Sequence, residues 1–267
     1  MYRYEIPLGI IDTDVAILES SEASWRGLKN WSLDDIQDNP TLTTALSKVL
    51  RLLNVREAFV PCVARGSGRI VPLTDLTDCV PLVGARLYRN QDLPADGMFL
   101  APGQTFMMST RGCPLIIAGA GKHFIVAHAG LNSLIDPGAV IGTPTREHVS
   151  VVDSIVASFW EQGIPPSKIV MMMLFVTPAI KFERDKALQY SAEDRALAAF
   201  VHARWKGGIV EKDREAFLDL ETVFIEQALQ ARVVCASSTL HLPHLARTHD
   251  KRSSCERHHL VMVKRNR

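Results

Sequence analysis

Residues 113–130 read CPLIIAGAGKHFIVAHAG, two apolar runs on either side of a short turn signal. That pattern predicts a β-hairpin, because strands favour apolar residues and the turn needs one that tolerates positive φ, here Gly121. A two-residue loop at Ala120 and Gly121 sets Cys113 directly opposite His128, with Cβ atoms about 4.5–5.5 Å apart on one face of the sheet. A four-residue loop over 119–122 keeps that pairing. A three-residue loop shifts it by one and sends the two side chains to opposite faces. With an even loop, a thiol stands within reach of an imidazole that can take its proton, and the thiolate is the form that attacks electrophiles or binds zinc. Pro114 has no amide hydrogen, so the strand beside Cys113 is an edge, a bulge or a strand start, each of which leaves the thiol partly accessible. Two buried strand residues would account for the same spacing, since cysteine is among the most often buried types.

Outward from the hairpin, residues 56–130 consist of short apolar runs broken by Gly, Pro, Asn and Asp, the texture of successive strands. Before them, residues 39–54 place Leu42, Leu46, Val49, Leu50 and Leu53 at helical spacing, with Asn39 as cap and Pro40 in the first helical position. After them, residues 145–163 carry a stripe of Val149, Val152, Ile155, Val156, Phe159 and Trp160 that Gly163 closes, which predicts a helix. Residues 168–176 read as a short buried strand, with Met171–Met173 as core filling. Ser191 and Asp194 have capping-box spacing at the start of a second late helix, and a third is expected over 213–230 with Asp219 in its first turn. Strand-like runs at 231–238 and 258–265 complete the chain. Strands cluster early and helices late, which predicts one α+β domain over 1–267: a mostly antiparallel sheet with helices on one face, opposite Cys113 and His128.

Thirty Lys+Arg against 29 Asp+Glu leave a net charge of +1, so no overall field steers the molecule to nucleic acid or an acidic membrane, and neither partner is expected. The basic residues concentrate late: Arg247, Lys251, Arg252, Arg257, Lys264, Arg265 and Arg267 face only Asp250 and Glu256 after residue 246. A solvated basic segment ending in a strand accounts for them better than a second metal site among His241, His244, His249, Cys255, His258 and His259, whose spacing matches no zinc motif. Five widely spaced cysteines without a CxxC pair suit a reducing compartment, and the first residues lack the pattern of a secretory signal. The longest apolar run, IVMMMLFVTPAI, contains Pro178 and is too short to span a bilayer. A soluble, cytoplasmic protein is the expectation.

Residues 95–134, ADGMFLAPGQTFMMSTRGCPLIIAGAGKHFIVAHAGLNSL, resemble the core of the laccase-domain (polyphenol oxidase-like) family. Ala95-Asp96-Gly97, Thr110 with Cys113, and Ala127-His128-Ala129-Gly130 stand where that family has Ala-Asp-Gly, Thr-Ala-Asp-Cys-x-Pro and Ala-His-Ala-Gly-Trp-Arg-Gly. The resemblance runs in order over about residues 60 to 265, with FLDL at 217–220 and THDKRSSCER at 248–257 as weaker matches. It implies the α+β fold of that family and an enzyme acting on purine nucleosides by phosphorolysis or deamination, of the purine nucleoside phosphorylase/adenosine deaminase type. It also implies a zinc ion held by Cys113 and His128, with nucleoside and phosphate as small-molecule partners and Arg111, Lys122 and Arg257 as candidates for receiving them. The chain departs from the family pattern at three places. Val83 stands where the family has its first zinc-binding His, Gly112 replaces an Asp, and Leu131-Asn132-Ser133 replace Trp-Arg-Gly. Cys79 or Cys62 could replace the missing ligand only in a different register.

Two further readings follow from those departures. The fold also resembles the cysteine hydrolases that include glutamine deamidases; there Cys113 would attack an amide carbonyl, His128 would act as base and acid, and amides near Gly112 would hold the oxyanion. The third is a non-catalytic relative that binds a ligand or partner.

Overall fold

The computed structural model describes residues 2–7, 12–19, 33–60, 68–72, 76, 78–89, 95–110, 113–140, 142, 149–174, 179–182, 191–236 and 259–266. The first part of the chain gives β1 (Tyr2–Pro7), β2 (Asp12–Glu19), α1 (Leu33–Gln37), α2 (Pro40–Leu52), β3 (Glu57–Phe59), β4 (Ile70–Val71), β5 (Cys79–Leu82) and β6 (Ala85–Tyr88). The middle gives β7 (Gly97–Phe99), β8 (Thr105–Thr110), β9 (Leu115–Ala120), β10 (His123–His128), α3 (Leu131–Leu134), α4 (Pro137–Val140) and α5 (Val151–Glu161). The remainder gives β11 (Val170–Leu174), β12 (Ile180–Lys181), α6 (Ala192–Arg204), β13 (Ile209–Lys212), β14 (Glu215–Leu218), α7 (Leu220–Gln230), β15 (Val234–Ala236) and β16 (His259–Arg265).

The strands form one seven-stranded sheet in the order β1-β2-β16-β8-β3-β6-β5, one six-stranded sheet in the order β15-β11-β9-β10-β7-β4, and a small sheet β12-β14-β13. Nine of the described pairings are antiparallel and four parallel, so the class is α+β with mixed, mostly antiparallel sheets. The single sheet expected from sequence is divided into two that pack face to face. Along β10, Phe124 and Val126 join Leu115 and Ile117 of β9, Phe106 and Met108 of β8 and Val261 and Val263 of β16 between the sheets. The alternate residues Ile125 and Ala127 point the other way, onto Val152, Ile155 and Phe159 of α5 and Val223 and Phe224 of α7. On the far side of the seven-stranded sheet, Leu260 and Met262 meet Leu42, Leu46, Val49 and Leu50 of α2. Each large sheet thus carries helices on one face and the other sheet on its second. That double covering is why the strands read as unbroken apolar runs instead of an alternating pattern.

Local chemistry sets the starts of several helices. Asn39 caps α2 by accepting from the Leu42 amide at 3.0 Å, and Pro40 follows at the first helical position. Ser191 Oγ accepts from the Asp194 amide at 2.9 Å to start α6. Residues 213–230 do not form one helix: 215–218 are β14, and α7 begins after Asp219, whose Oδ1 accepts from the amides of Glu221 and Thr222. The capping aspartate forces extended backbone before it, so the helical pattern stops there. The α5 stripe is also narrower than its spacing indicated. Val149 precedes the cap residue Ser150, and Trp160 is 64% exposed. Among the described residues no helix is long and apolar enough to cross a membrane.

Candidate active site

The hairpin of β9 and β10 turns at Gly121 and Lys122, not at Ala120 and Gly121, since Ala120 pairs with His123 and Leu115 with His128. Gly121 has φ +56 and takes the first loop position, where type II′ turns need glycine; placing it second would lose that match. The loop is still even, so Cys113 and His128 share a face, but the register moves by two. His128 faces Leu115, and Cys113 lies diagonally across, just before the strand begins. The strand-start reading of Pro114 holds: its carbonyl accepts from the Ala129 amide at 2.9 Å, which continues the pairing past β9.

Around His128 the chain builds a buried polar cluster. Asp96 lies immediately before β7, fully buried, and its carbonyl accepts from the His128 amide at 2.7 Å. Its Oδ1 lies 3.3 Å from His128 Nδ1 and accepts from the Ser133 hydroxyl at 3.0 Å, while Oδ2 accepts from the Gly68 amide at 2.6 Å. Ser133, on the short helix α3, also brings its Oγ to 3.1 Å from His128 Nδ1. A carboxylate removed from water is tolerated here because hydrogen bonds reach both of its oxygens. The other edge of the imidazole faces Gly130 and the thiol. A Cβ placed on Gly130 would lie 2.8 Å from His128 Nε2, 2.7 Å from Cε1 and 3.6 Å from Cys113 Sγ. Only glycine leaves that space open, and Gly130 is the cap residue of α3. Burial lowers the proton affinity of His128, but hydrogen bonds to Asp96 and Cys113, together with their charges, outweigh it and raise its pKa to about 9. That shift favours the imidazolium, whose Nδ1 faces Asp96 and Ser133 and whose Nε2 lies on the side of Gly130 and Cys113. Cys113 itself is half-buried and free of any disulfide.

The remaining sequence candidates fall elsewhere. Lys122 sits exposed in the turn, at the opposite end of β10 from His128, about 20 Å away at strand rise. Arg111 and Arg257 lie outside the described residues, as do Gly112, Cys62 and Cys255. Val83 is 74% exposed in the turn between β5 and β6, where its amide donates to Ser47 Oγ. Cys79 is exposed on β5, a strand of the other large sheet. Neither fills the third zinc position. Among the described residues no group of three or more His, Cys, Asp or Glu converges to hold a metal ion, and Cys113 with His128 Nε2 fall short of the three protein donors of a catalytic zinc site. The two residues that sequence reasoning gave no part in the chemistry are Asp96 and Ser133. Asp96 was visible within Ala95-Asp96-Gly97; Ser133 was marked only as a departure from Trp-Arg-Gly.

No protein-family model and no curated protein matches the chain by sequence. Solved structures do match it. The Neisseria meningitidis protein NMB0706, described as a DUF152 protein, superposes with a TM-score of 0.60 at 14% identity, covering 100% of this chain and 99% of its own. The Bacillus licheniformis hypothetical protein YfiH gives 0.60 at 14% identity, over 98% of this chain and 96% of that one. YlmD from Geobacillus stearothermophilus gives 0.55 at 14% identity, over 98% and 94%. Across its length, then, this chain has the fold of the DUF152 proteins, the laccase-domain group to which its hairpin motifs pointed.

Proposed function

We propose that the protein is a divergent laccase-domain relative that works as a metal-independent cysteine hydrolase of amide bonds, with Cys113 as nucleophile and His128 as acid and base. The observation that supports this reading is the Asp96–His128 pair, which holds a protonated imidazole beside the half-buried thiol. An imidazolium stabilises a neighbouring thiolate. Cys113 Sγ adds to the amide carbonyl carbon, and the electron pair of the C=O bond moves to oxygen. His128 Nε2–H then protonates the departing nitrogen, the C–N bond breaks, and a thioester remains. The neutral imidazole takes a proton from water, whose oxygen attacks the thioester; the acid leaves and the thiolate–imidazolium pair is restored. Asp96 and Ser133 are positioning residues that keep Nδ1 occupied and Nε2 turned to the sulfur. Primary carboxamides, as in glutamine side chains, are the substrate class of the resembling deamidases and the first to test. A reduced thiol with this role fits a reducing, cytoplasmic setting.

The purine nucleoside reading keeps one structural argument: an imidazole whose Nδ1 is held by a carboxylate is also how metal-binding histidines are oriented. It needs a third donor that the described residues do not supply. One experiment separates the readings: zinc analysis of the wild type and Cys113→Ser, beside iodoacetamide labelling of Cys113 at pH 7 and an ammonia-release assay on glutamine peptides. The hydrolase reading expects no stoichiometric zinc, ammonia release that Cys113→Ser abolishes, and labelling that His128→Gln slows roughly tenfold. One zinc per chain that disappears in Cys113→Ser, with phosphorolysis or deamination of purine nucleosides, overturns it. Slow labelling with no turnover of either substrate leaves a binding protein.

A further inference from the structure

The face that α7 turns to the core consists of Leu220, Val223, Phe224, Gln227 and Ala228. Gln227 is the one polar side chain among them and is 5% exposed. Its Nε2 donates to the Leu134 carbonyl at 2.6 Å, 93 residues away in sequence. Its Oε1 is buried as well and meets no hydrogen-bond partner among the described residues. A carboxamide with one end unmatched costs stability, so packing alone does not account for its place on this face. The segment it grips accounts for it better. Leu134 ends α3, the four-residue helix that carries Ser133, whose Oγ donates to Asp96 Oδ1 at 3.0 Å and stands 3.1 Å from His128 Nδ1. So short a helix is not held by its own hydrogen bonds, and its cap residue Gly130 brings no side chain to help. Leu134 and Ile135 sink into the core that α5 and α7 share, but apolar contact is non-directional and lets a single turn slide or rotate. The bond from Gln227 is directional, and it fixes the peptide between Leu134 and Ile135, one residue past Ser133. α7 is a firm reference for it, because Asp219 caps its start and Val223, Phe224 and Ala228 pack into the same core.

We propose that Gln227 is a positioning residue for the Cys113–His128 pair, acting through α3 to keep the Ser133 hydroxyl on Asp96 and His128. This role rests on the reading of Cys113 and His128 as a reacting pair, so the imidazole and the thiol are followed separately. NMR of the full chain with nitrogen-labelled histidine reports the surroundings of His128 Nδ1, and iodoacetamide labelling at pH 7 reports Cys113. Gln227→Met keeps the length of the side chain and removes its donor. It is expected to displace the Nδ1 resonance as Ser133→Ala does, and to slow labelling roughly two- to tenfold, the rate equivalent of one neutral hydrogen bond. The double variant should be no slower than Ser133→Ala alone, since both changes break one chain of contacts. Phe224→Leu, which loosens α7 without touching that bond, should leave the Nδ1 resonance in place. If Gln227→Met does not fold, Gln227→Asn, which keeps the amide but draws it back by one methylene, takes its place in the test. An unmoved Nδ1 resonance in the folded Gln227 variant, the same displacement in Phe224→Leu, or additive slowing in the double variant overturns the inference. A wild-type thiol that resists labelling while Gln227→Met still displaces the resonance overturns the hydrolase reading and supports the role of Gln227.

Discussion

The two ends of the β9–β10 hairpin both hold a charged group out of water, and they do it in opposite ways. At the turn, Arg265 of β16 is 5% exposed and donates to the carbonyls of Leu100 at 2.6 Å and Lys122 at 2.7 Å, with its guanidinium 5.9 Å from the Phe124 ring centre. Burial lowers its pKa below the ordinary arginine value, and the two carbonyls it donates to are neutral backbone groups that do not titrate. At the open end, His128 is set against a carboxylate, a hydroxyl and a thiol, all polar side chains and two of them titratable. A buried cation met by carbonyls acts as a staple. One met by titratable side chains becomes a place where chemistry can occur.

The largest expected effect that tests this contrast comes from Asp96→Ala, which leaves the imidazolium without its buried counter-charge. Urea denaturation at pH 7 should show a loss of about 3–5 kcal/mol, the range for breaking a buried ion pair. Labelling of Cys113 should slow in the same variant. A smaller loss, about 1–3 kcal/mol, is expected from Arg265→Met, which strands two carbonyls. Its rate of Cys113 alkylation should match the wild type; a changed rate would mean that the turn end is not merely structural. A further effect is a dependence on pH. The pKa of His128 is raised above its ordinary 6.5 to about 9 by folding, so the folded state holds that proton more tightly. Its contribution to stability is fully present below pH 6.5 and is lost as pH rises through 9. Denaturation curves for the wild type should lose stability across that window, and those for His128→Gln should stay flatter. Parallel curves would break the assignment of the proton to His128.

Much of this was legible in the sequence where a residue acts locally. Asn39 and Ser191 cap helices as their chemistry dictates, and the hairpin of β9 and β10 follows from glycine between two apolar runs. What depended on distant packing was hidden. Asp96 is 32 residues from His128 and Ser133 is 37 from Asp96, and only the β7–β10 pairing and the turn into α3 bring them together. The division into two sheets was invisible for a related reason: strands covered on both faces, such as Leu115–Ala120, lack the alternation that would show which side meets which. The exposure of Trp160, by contrast, runs against its hydrophobicity, and nothing in the structure explains it.

One feature of the strand order bears on how the molecule comes to be made. β16 sits between β2 and β8, with Leu260 paired to Leu18 on one side and Ser109 on the other. During synthesis β2 lacks its strand partner on that side until some 240 further residues have left the ribosome, although its Ala16 packs with Leu42 and Leu46 of α2. The seven-stranded sheet closes only at that late moment, and its assembly belongs to the slow, long-range kind of folding.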